Sequence, residues 1–418
     1  MRLLHRRLAA TVTAAVAVLS MTTVPAGAST GDFYAPPATL PGDNGDIIRH
    51  EPSQFFLDPV KLLPAAAQVQ RIMYRSTNTH GDPIAVTGTV LTPKTPWRDG
   101  ERPIIAYAPG TQGLGDQCAP SKALAAGQEY EGPFIAGLLA RGWAVVVTDY
   151  EGLGTPGVHT YVNRKAEGYA VLDSIRAAQR LPGLPDDGPV AIAGYSQGGG
   201  ASAAAAEMQP SYAPELDLQG AYAGAVPADL AAVGRSLDGA YAVGFLMFAV
   251  ASVNYAYPEL HITDVLNDRG KALEAQVETE CTVESVVKHA FTRTADLTVD
   301  GRPISEYLAE EPYASVVAEQ RIGLGKPTVP MYVVHSALDD IVPYEQGRTM
   351  ARSWCDEGAT VRFDTLAVPT HVGGAVAGYP AAFAWLEGRF AGRTAPSNCG
   401  SISGAQPPVT VAAGDGRA

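Results

Sequence analysis

The sequence predicts an α/β protein with a mostly parallel sheet of eight strands, helices on both faces, and a helical insert over one edge. Short apolar runs alternate with helical patterns through most of the chain, which is how parallel sheets are built. One run leads through a Gly-x-Ser-x-Gly turn around Ser196 into an Ala-rich helix. The stretch 227–328 has helical patterns of its own and is too long for an ordinary crossover.

The strands follow from apolar runs that end in turn residues. We predict a leading antiparallel hairpin and six further strands, at 70–77, 83–92, 104–108, 143–148, 190–193, 220–226, 329–335 and 360–366. Helical spacing predicts helices at 64–69, 122–141, 167–181, 201–208, 240–253, 273–289 and 381–390. In such a sheet, reactive side chains lie beyond the carboxyl ends of the strands.

The N-terminus has the pattern of an export signal, with a basic start, an apolar run over 8–19 and a small-residue cleavage site. The run is too short to span a bilayer. We predict a secreted protein, with cleavage of residues 1–28 after Ala28. The core would then occupy 29–226 and 329–400, with a cap or lid at 227–328 and a disordered tail at 401–418.

Composition limits the partners. The chain has 418 residues, 46% hydrophobic and 17% charged, with a net charge of −13. Loss of the three arginines in 1–28 would make the charge −16. A protein this acidic is a poor binder of nucleic acid and is repelled by anionic lipid head groups. We expect a soluble monomer outside the cell.

The cysteine count fits an oxidising compartment. Cys118, Cys281, Cys355 and Cys399 allow two disulfides with three connectivities. The short separation of Cys355 and Cys399 favours pairing these two, but spacing alone does not decide the connectivity. None of the cysteines has the close spacing of a zinc site.

The Gly-x-Ser-x-Gly turn at Ser196 has the context of a nucleophile elbow, between a buried strand and a helix. Gly194 and Gly198 would leave room for a sharp, strained turn that exposes the serine hydroxyl. Residues 27–31 match the same pattern but follow no strand and open no helix. Ser196 is therefore the candidate nucleophile, and the alternative is an ordinary turn serine.

A serine nucleophile requires a base. Four histidines follow Ser196 in the chain: His261, His289, His335 and His371. The first two fall in the insert, and His335 precedes the candidate acid. His371 follows the last predicted strand, in the loop 369–374, where this chain order places the base.

The base in turn needs an orienting carboxylate. Asp339 and Asp340 follow the strand that ends near His335, and both are candidates. Asp339 lies four residues before Pro343, in a D-x-x-V-P arrangement, so we prefer it. Asp340 would then cap a helix or remain solvated.

A negative tetrahedral intermediate needs two hydrogen-bond donors. The backbone amide of Gln197, the residue after the nucleophile, is one candidate. The other would come from the glycine-rich loop after strand 104–108, through the amide of Thr111 or Gln112 or the Gln112 side chain.

With these residues in place, the chain resembles the secretory lipase family of α/β-hydrolases. The resemblance rests on blocks that run in order through the mature chain: 107–113 (YAPGTQG), 118–121 (CAPS), 149–154 (DYEGLG), 194–199 (GYSQGG) and 339–344 (DDIVPY). It implies the α/β-hydrolase fold, a triad of Ser196, Asp339 and His371, and an inserted lid. It also implies disulfides Cys118–Cys281 and Cys355–Cys399, and hydrolysis of acylglycerols and simpler esters.

These observations predict a serine hydrolase that cleaves carboxylic esters, a lipase or an esterase, with transient contact with a lipid surface. A peptidase or an acyltransferase with the same triad is the alternative, and a non-catalytic binding protein is a third. We expect no metal and no cofactor, although the acidic turn 43–46 leaves a weak calcium site open. The apolar run 241–250 is interpreted as the core of the cap, or else as a surface that meets acyl chains.

Overall fold

The computed structural model describes residues 32–402. The predicted signal 1–28, its cleavage after Ala28 and residues 403–418 of the predicted tail lie outside this range. Ser401 and Ile402, which we assigned to the tail, instead belong to a short helix. The described strands are β1 (Ile47–Pro52), β2 (Ala67–Thr77), β3 (Pro83–Pro93), β4 (Ile104–Ala108), β5 (Ala144–Thr148), β6 (Val190–Tyr195), β7 (Leu218–Gly224), β8 (Met331–Leu338) and β9 (Val361–Pro369).

All nine strands form one sheet in the order β1-β2-β3-β5-β4-β6-β7-β8-β9. Strands β4 to β9 pair in parallel, and β1, β2 and β3 add an antiparallel edge. The mostly parallel sheet is confirmed, but the predicted number of eight strands is wrong. The missed strand, β1, pairs only with β2 and carries Arg49, His50 and Glu51, so it lacks the apolar pattern of a buried strand.

The helices alternate with the parallel strands, as predicted. They are α1 (Pro120–Ala126), α2 (Gly132–Leu139), α3 (Arg164–Gln179), α4 (Gln197–Tyr212), α5 (Leu230–Leu237), α6 (Gly244–Ala256), α7 (Asp268–Val277), α8 (Thr282–His289), α9 (Ile304–Tyr307), α10 (Tyr313–Glu319), α11 (Tyr344–Asp356), α12 (His371–Phe390) and α13 (Cys399–Ile402). Within residues 32–402, no helix is both long and apolar enough to cross a membrane.

Three helix predictions need correction. The helix predicted at 122–141 is two helices, because Gly127 adopts a left-handed φ of 70° that ends α1. The helix predicted at 273–289 is also two, with Cys281 of a disulfide between them. The helix predicted at 64–69 is wrong, since the chain there is extended and enters β2 at Ala67.

The sheet is covered on both faces, and its strands alternate side chains between two cores. Ile104 and Ala106 of β4 pack toward α3 and α4, whereas Ile105 and Tyr107 pack toward α2 and α12. This explains why β4 and β6, at the centre of the sheet, are buried at every position. The strands therefore hold their carboxyl ends in fixed positions at one edge.

The segment between β7 and β8 contains α5 to α10 and a separate apolar core. Phe245, Leu246, Met247 and Phe248 of the run 241–250 are all buried there. The disulfide Cys118–Cys281 ties this segment to the loop after β4, and Cys355–Cys399 ties α11 to α13. Both are the pairs that the resemblance implies.

The turn from β6 into α4 depends on glycine. A Cβ on Gly198 would collide with the carbonyl group of Ala108 in β4, and one on Gly194 would collide with that of Gly198. Ser196, between them, has a φ of 62°, a left-handed conformation that non-glycine residues rarely adopt. The predicted strain of this turn is therefore present.

We expect Gly198→Ala to destabilise the protein by about 3 kcal/mol or more, because backbone atoms in the sheet cannot move aside. Gly400→Ala is the matched control, since a Cβ there meets open space. The thermal midpoints of the two variants should separate clearly. Equal midpoints would contradict the proposed close approach of α4 and β4.

Candidate active site

Ser196 lies at the carboxyl end of β6, immediately before the first residue of α4. Its amide donates to the carbonyl oxygen of Gly224 at the end of β7, at 2.9 Å. The side chain is half-buried and lines an apolar cavity. The amide of the next residue, Gln197, belongs to the first turn of α4, where helical amides lack an intrahelical acceptor.

His371 and Asp339 are in direct contact. The Nδ1 atom of His371 lies 2.7 Å from Oδ2 of Asp339, and both side chains are buried. The other oxygen of Asp339 accepts from the amides of Ile341, at 3.0 Å, and Val342, at 2.8 Å. Burial alone would raise the pKa of Asp339, but the hydrogen bond and charge of His371 and these two amides hold it below its ordinary value.

The Nε2 atom of His371 is buried and has no hydrogen-bond partner among residues 32–402, so it makes no hydrogen bond to Ser196. Since Nδ1 faces a carboxylate, it carries the proton, and Nε2 of the neutral ring is an acceptor. We predicted that His371 lies in a loop. It is instead the first residue of α12. Its position after β9 is the predicted one.

Asp340 contacts the backbone of His371 and not its ring. Its Oδ1 accepts from the amide of His371 at 2.8 Å, and the Tyr195 hydroxyl donates to the carbonyl oxygen of His371 at 2.8 Å. The two adjacent aspartates thus differ in their contacts. One holds the imidazole, and the other holds the start of the helix that carries it.

The other three candidate histidines do not occupy the position of a base. His335 is buried behind Asp339, with Nε2 donating to the Val342 carbonyl at 3.0 Å, and burial lowers its pKa. His289 pairs with Glu280 in the insert at 2.8 Å, and His261 is exposed.

The loop after β4 contains two backbone amides that have no acceptor among the described residues. The Gly110 amide donates to Glu131 at 2.7 Å, and the Gln112 side chain donates to Glu129 at 3.3 Å. Among the described residues, the amides of Thr111 and Gln112 have no acceptor. The Gln112 side chain is thus already bonded elsewhere, which leaves the two amides as the better candidates.

Glu129 and Glu131 form a buried carboxyl pair behind this loop, and sequence reasoning missed them. Burial raises the pKa of both side chains, and the charge of Glu129 adds to the shift at Glu131. Protonated carboxyl groups can remain buried at much lower cost than charged ones. The only sequence signal was two acidic residues just before an apolar helix.

A second buried network holds the Gln197 side chain. Its Nε2 donates to Glu167 at 2.7 Å and to Nε2 of His159 at 2.8 Å. Nδ1 of His159 donates to the carbonyl oxygen of Glu151, at 2.8 Å, which fixes the tautomer. Burial raises the pKa of Glu167 to about 8 and lowers that of His159 to about 4. Sequence reasoning missed this network, since its members are far apart in the chain.

The cavity beside Ser196 offers about 70 Å³ to the centres of water-sized molecules. Its lining from the insert is apolar: Leu230, Val233, Leu237, Phe245, Leu246, Ala249, Val250, Val253, Ile262, Leu308 and Val317. None of the described residues that line it is charged. Part of the run 241–250 therefore forms the core of the insert and lines this cavity as well.

The part of the chain that the structure describes contains no group of three or more His, Cys, Asp or Glu side chains placed to hold a metal ion. In the acidic turn 43–46, Asp46 accepts from the amide of Asp43 at 2.6 Å and pairs with Arg180 at 3.0 Å. Asp46 therefore has a structural role in this turn, because both of its carboxylate oxygens have a partner within the protein.

A family profile described as secretory lipase matches residues 118–398. The chain belongs to this family. A Mycobacterium tuberculosis protein named probable inactive lipase is 31% identical over 86% of this chain and 82% of its own length. Lipase 5 of Candida albicans is 30% identical over 90% of this chain and 84% of its own length.

The fold comparison agrees with the family. The X-ray structure of Candida antarctica lipase A in its closed state superposes with a TM-score of 0.77, at 25% identity, covering 90% of this chain and 93% of that one. The α/β-hydrolase fold expected from the resemblance is thereby confirmed. Family membership makes this chain a lipase-type protein, and its relatives include one that is named inactive.

Burial raises the pKa of Glu167 from about 4.5 in the unfolded chain to about 8 in the folded protein. Since the folded state then binds the proton more tightly, we expect the free energy of unfolding to fall as pH rises from about 4.5 to about 8. Glu167→Gln, which cannot ionise, should have a flatter profile. At about 1.4 kcal/mol for each pKa unit, the upper bound of this contribution is about 5 kcal/mol. Thermal midpoints measured across this pH range test the expectation, with the exposed Glu345→Gln as control. Parallel profiles for all three proteins would contradict it.

Proposed function

We propose that this protein is a secreted serine hydrolase that cleaves carboxylic esters through an acyl-enzyme on Ser196. The observation that carries the proposal is the pairing of His371 Nδ1 with Asp339, which leaves the buried Nε2 as an unpartnered acceptor. Ser196 lies at the same edge of the sheet, on a strained turn, beside an apolar cavity. We further propose export by the signal 1–28, with cleavage after Ala28, and a monomeric state.

The proposed reaction begins when His371 Nε2 takes the proton of the Ser196 hydroxyl and the oxygen attacks the ester carbonyl carbon. Asp339 holds the ring orientation and stabilises the imidazolium. The imidazolium then gives its proton to the leaving alcohol. Water, deprotonated by His371, hydrolyses the acyl-enzyme and regenerates the serine. The missing contact between His371 and Ser196 fits an unliganded state, since catalytic hydrogen bonds often tighten only with substrate.

The negative oxygen of the tetrahedral intermediate would be bound by backbone amides. We assign one donor to Gln197 and the other to the Thr111–Gln112 segment, whose amides have no acceptor in the described chain. The carboxyl groups of Glu131 and Glu167 position these two segments from behind. They are positioning residues, because they act through the backbone or through Gln197.

The apolar cavity favours an acyl chain over the alternatives. A peptidase that recognises a chain terminus needs a charged group, and none of the described residues that line the cavity supplies one. An acyltransferase with the same triad differs only in which acceptor reaches the acyl-enzyme. The segment 227–328 would act as the cap that covers this cavity.

Because one relative is named inactive, a silent binding protein is the alternative that substitutions in the triad test. We expect Ser196→Ala to lower kcat/KM for a soluble butyrate ester by about a thousandfold or more. Asp339→Asn should cost a similar factor, because it favours the wrong tautomer of His371. Asp340→Asn is the matched control and should stay within about tenfold, since an amide oxygen can still accept from the His371 backbone. Activity that survives in Ser196→Ala would refute the proposal.

Ala249, on α6, tests the cavity as the acyl site. We expect Ala249→Phe to lower hydrolysis of a palmitate ester by about tenfold or more while acetate hydrolysis changes little, since the added ring occupies the cavity. Ala231→Phe, on α5 but outside this cavity, is the control. Equal losses on both esters would place the acyl chain elsewhere. Product analysis with an added alcohol separates hydrolysis from acyl transfer.

A further inference from the structure

A pocket at the carboxyl end of α12 contains two arginines without an acidic partner. Arg389 lies in the last turn of α12 and is only 7% exposed, and its buried Nε atom has no acceptor among residues 32–402. In the same range, neither Arg389 nor Arg393 forms an ion pair. A buried charge without a partner is costly, so this arrangement favours an anion bound from outside the described chain.

The end of the helix does not account for these arginines. An arginine in the last turn can bond to carbonyl groups that lack an intrahelical donor. In α12 the carbonyl oxygens of residues 387–389 accept hydrogen bonds of 2.9 to 3.0 Å from the backbone amides of the turn 391–393. The Arg389 side chain is therefore not needed as a cap.

The two guanidinium groups lie close enough to repel each other. A Cβ on Gly388 would lie 3.8 Å from Nε of Arg393, so the Arg393 side chain packs over the helix at this glycine. Burial and the nearby charge of Arg393 both hold the pKa of Arg389 below its ordinary value. A bound anion would relieve this repulsion between like charges.

Aromatic and small apolar side chains form the wall beside the arginines. The ring of Trp385 stacks on that of Tyr332 with centroids 5.8 Å apart, and the Arg389 guanidinium lies 5.3 Å from the centre of the Trp385 ring. Ala381 and Ala384 line the pocket from α12. It offers about 340 Å³ to the centres of water-sized molecules. A single water needs roughly 10–15 Å³ on this measure, so a larger molecule fits.

The charge of the pocket differs from that of the whole protein. Its described lining includes a third arginine, Arg362, and no acidic residue, although the chain has a net charge of −13. The nearby Asp364 pairs with Arg362 at 2.9 Å and accepts from the Tyr332 hydroxyl at 2.8 Å. This carboxylate is therefore already bonded elsewhere and does not neutralise Arg389.

We propose that this pocket binds an organic carboxylate, with its oxygens on Arg389 and Arg393 and its hydrocarbon chain against Trp385. A guanidinium group matches the two oxygens of a carboxylate with parallel hydrogen bonds. The apolar wall favours an attached chain over a bare inorganic anion. The proposed ester hydrolysis releases such carboxylates, and in this respect the assignment rests on the proposed function. Along α12, Arg389 and His371 are about 27 Å apart, so the pocket is separate from the catalytic groups.

Octanoate binding followed at the Trp385 indole tests the proposal. The chain has four tryptophans, so the indole region of a ¹⁵N spectrum is simple, and Trp385→Phe identifies the signal of Trp385. We expect a saturable shift of this signal by octanoate. Acetate, inorganic phosphate and octan-1-ol should each bind about tenfold or more weakly, because each lacks either the chain or the charge.

Substitution of the arginines should weaken octanoate binding, by about tenfold or more for Arg389→Met and about threefold or more for the exposed Arg393→Met. Arg269→Met, at an exposed position of α7 outside the pocket, is the control and should stay within about twofold. A Trp385 signal that octanoate does not move, or equal binding of octanoate and phosphate, overturns the proposal. An equal loss in the control does so too.

Thermal midpoints separate a binding role of Arg389 from a structural one. Without ligand, Arg389→Met should keep or raise the midpoint, because methionine retains the packing of the side chain and removes an unpaired buried charge. Octanoate should raise the midpoint of the unmodified protein more than that of the variant. A lower midpoint in ligand-free Arg389→Met would assign the arginine a structural role and contradict the proposal. Failure of ester hydrolysis would refute the proposed function alone, since octanoate binding is measured without turnover.

Discussion

The close approach of α4 to the centre of the sheet is the constraint on which the rest of the structure depends. Gly194 and Gly198 let backbone atoms of β6, β4 and α4 meet without side chains between them. This contact forces Ser196 into a left-handed conformation at the edge where six parallel strands end. A local strain of about 1–3 kcal/mol is tolerable because the surrounding backbone is fixed by the ladder of β4, β6 and β7.

The same edge holds two buried acidic side chains. Glu131 and Glu167 are buried close to apolar neighbours, which costs free energy in the charged form and raises their pKa values. Glu131 accepts a hydrogen bond from the amide of Gly110, and Glu167 accepts one from the amide of Val162. The arrangement lowers stability as pH rises from about 4.5 to about 8, and it holds the loops that carry the donors a developing oxyanion requires.

Much of this could be predicted from local sequence, and the misses have a common cause. The parallel strands, the turn at Ser196 and the candidates Asp339 and His371 are each specified by a few adjacent residues. Strand β1 was missed because an edge strand needs no apolar pattern. Glu167 and His159 were missed because their roles arise only when distant segments meet at Gln197. Glu129 and Glu131 were missed for the same reason. They accept hydrogen bonds from Gln112 and Gly110, and only the tertiary fold brings these residues together.

Overall similarity cannot decide whether a member of this family is active. The relative named probable inactive and one named lipase are nearly equally similar to this chain, at 31% and 30% identity. Activity depends instead on a few atoms, and a fold tolerates their loss without a global change. In this chain a serine, a paired imidazole and free amides share one edge, beside an uncharged cavity. The buried acids behind this edge cost stability when charged, and they support the proposed activity because they hold the segments that carry the amides.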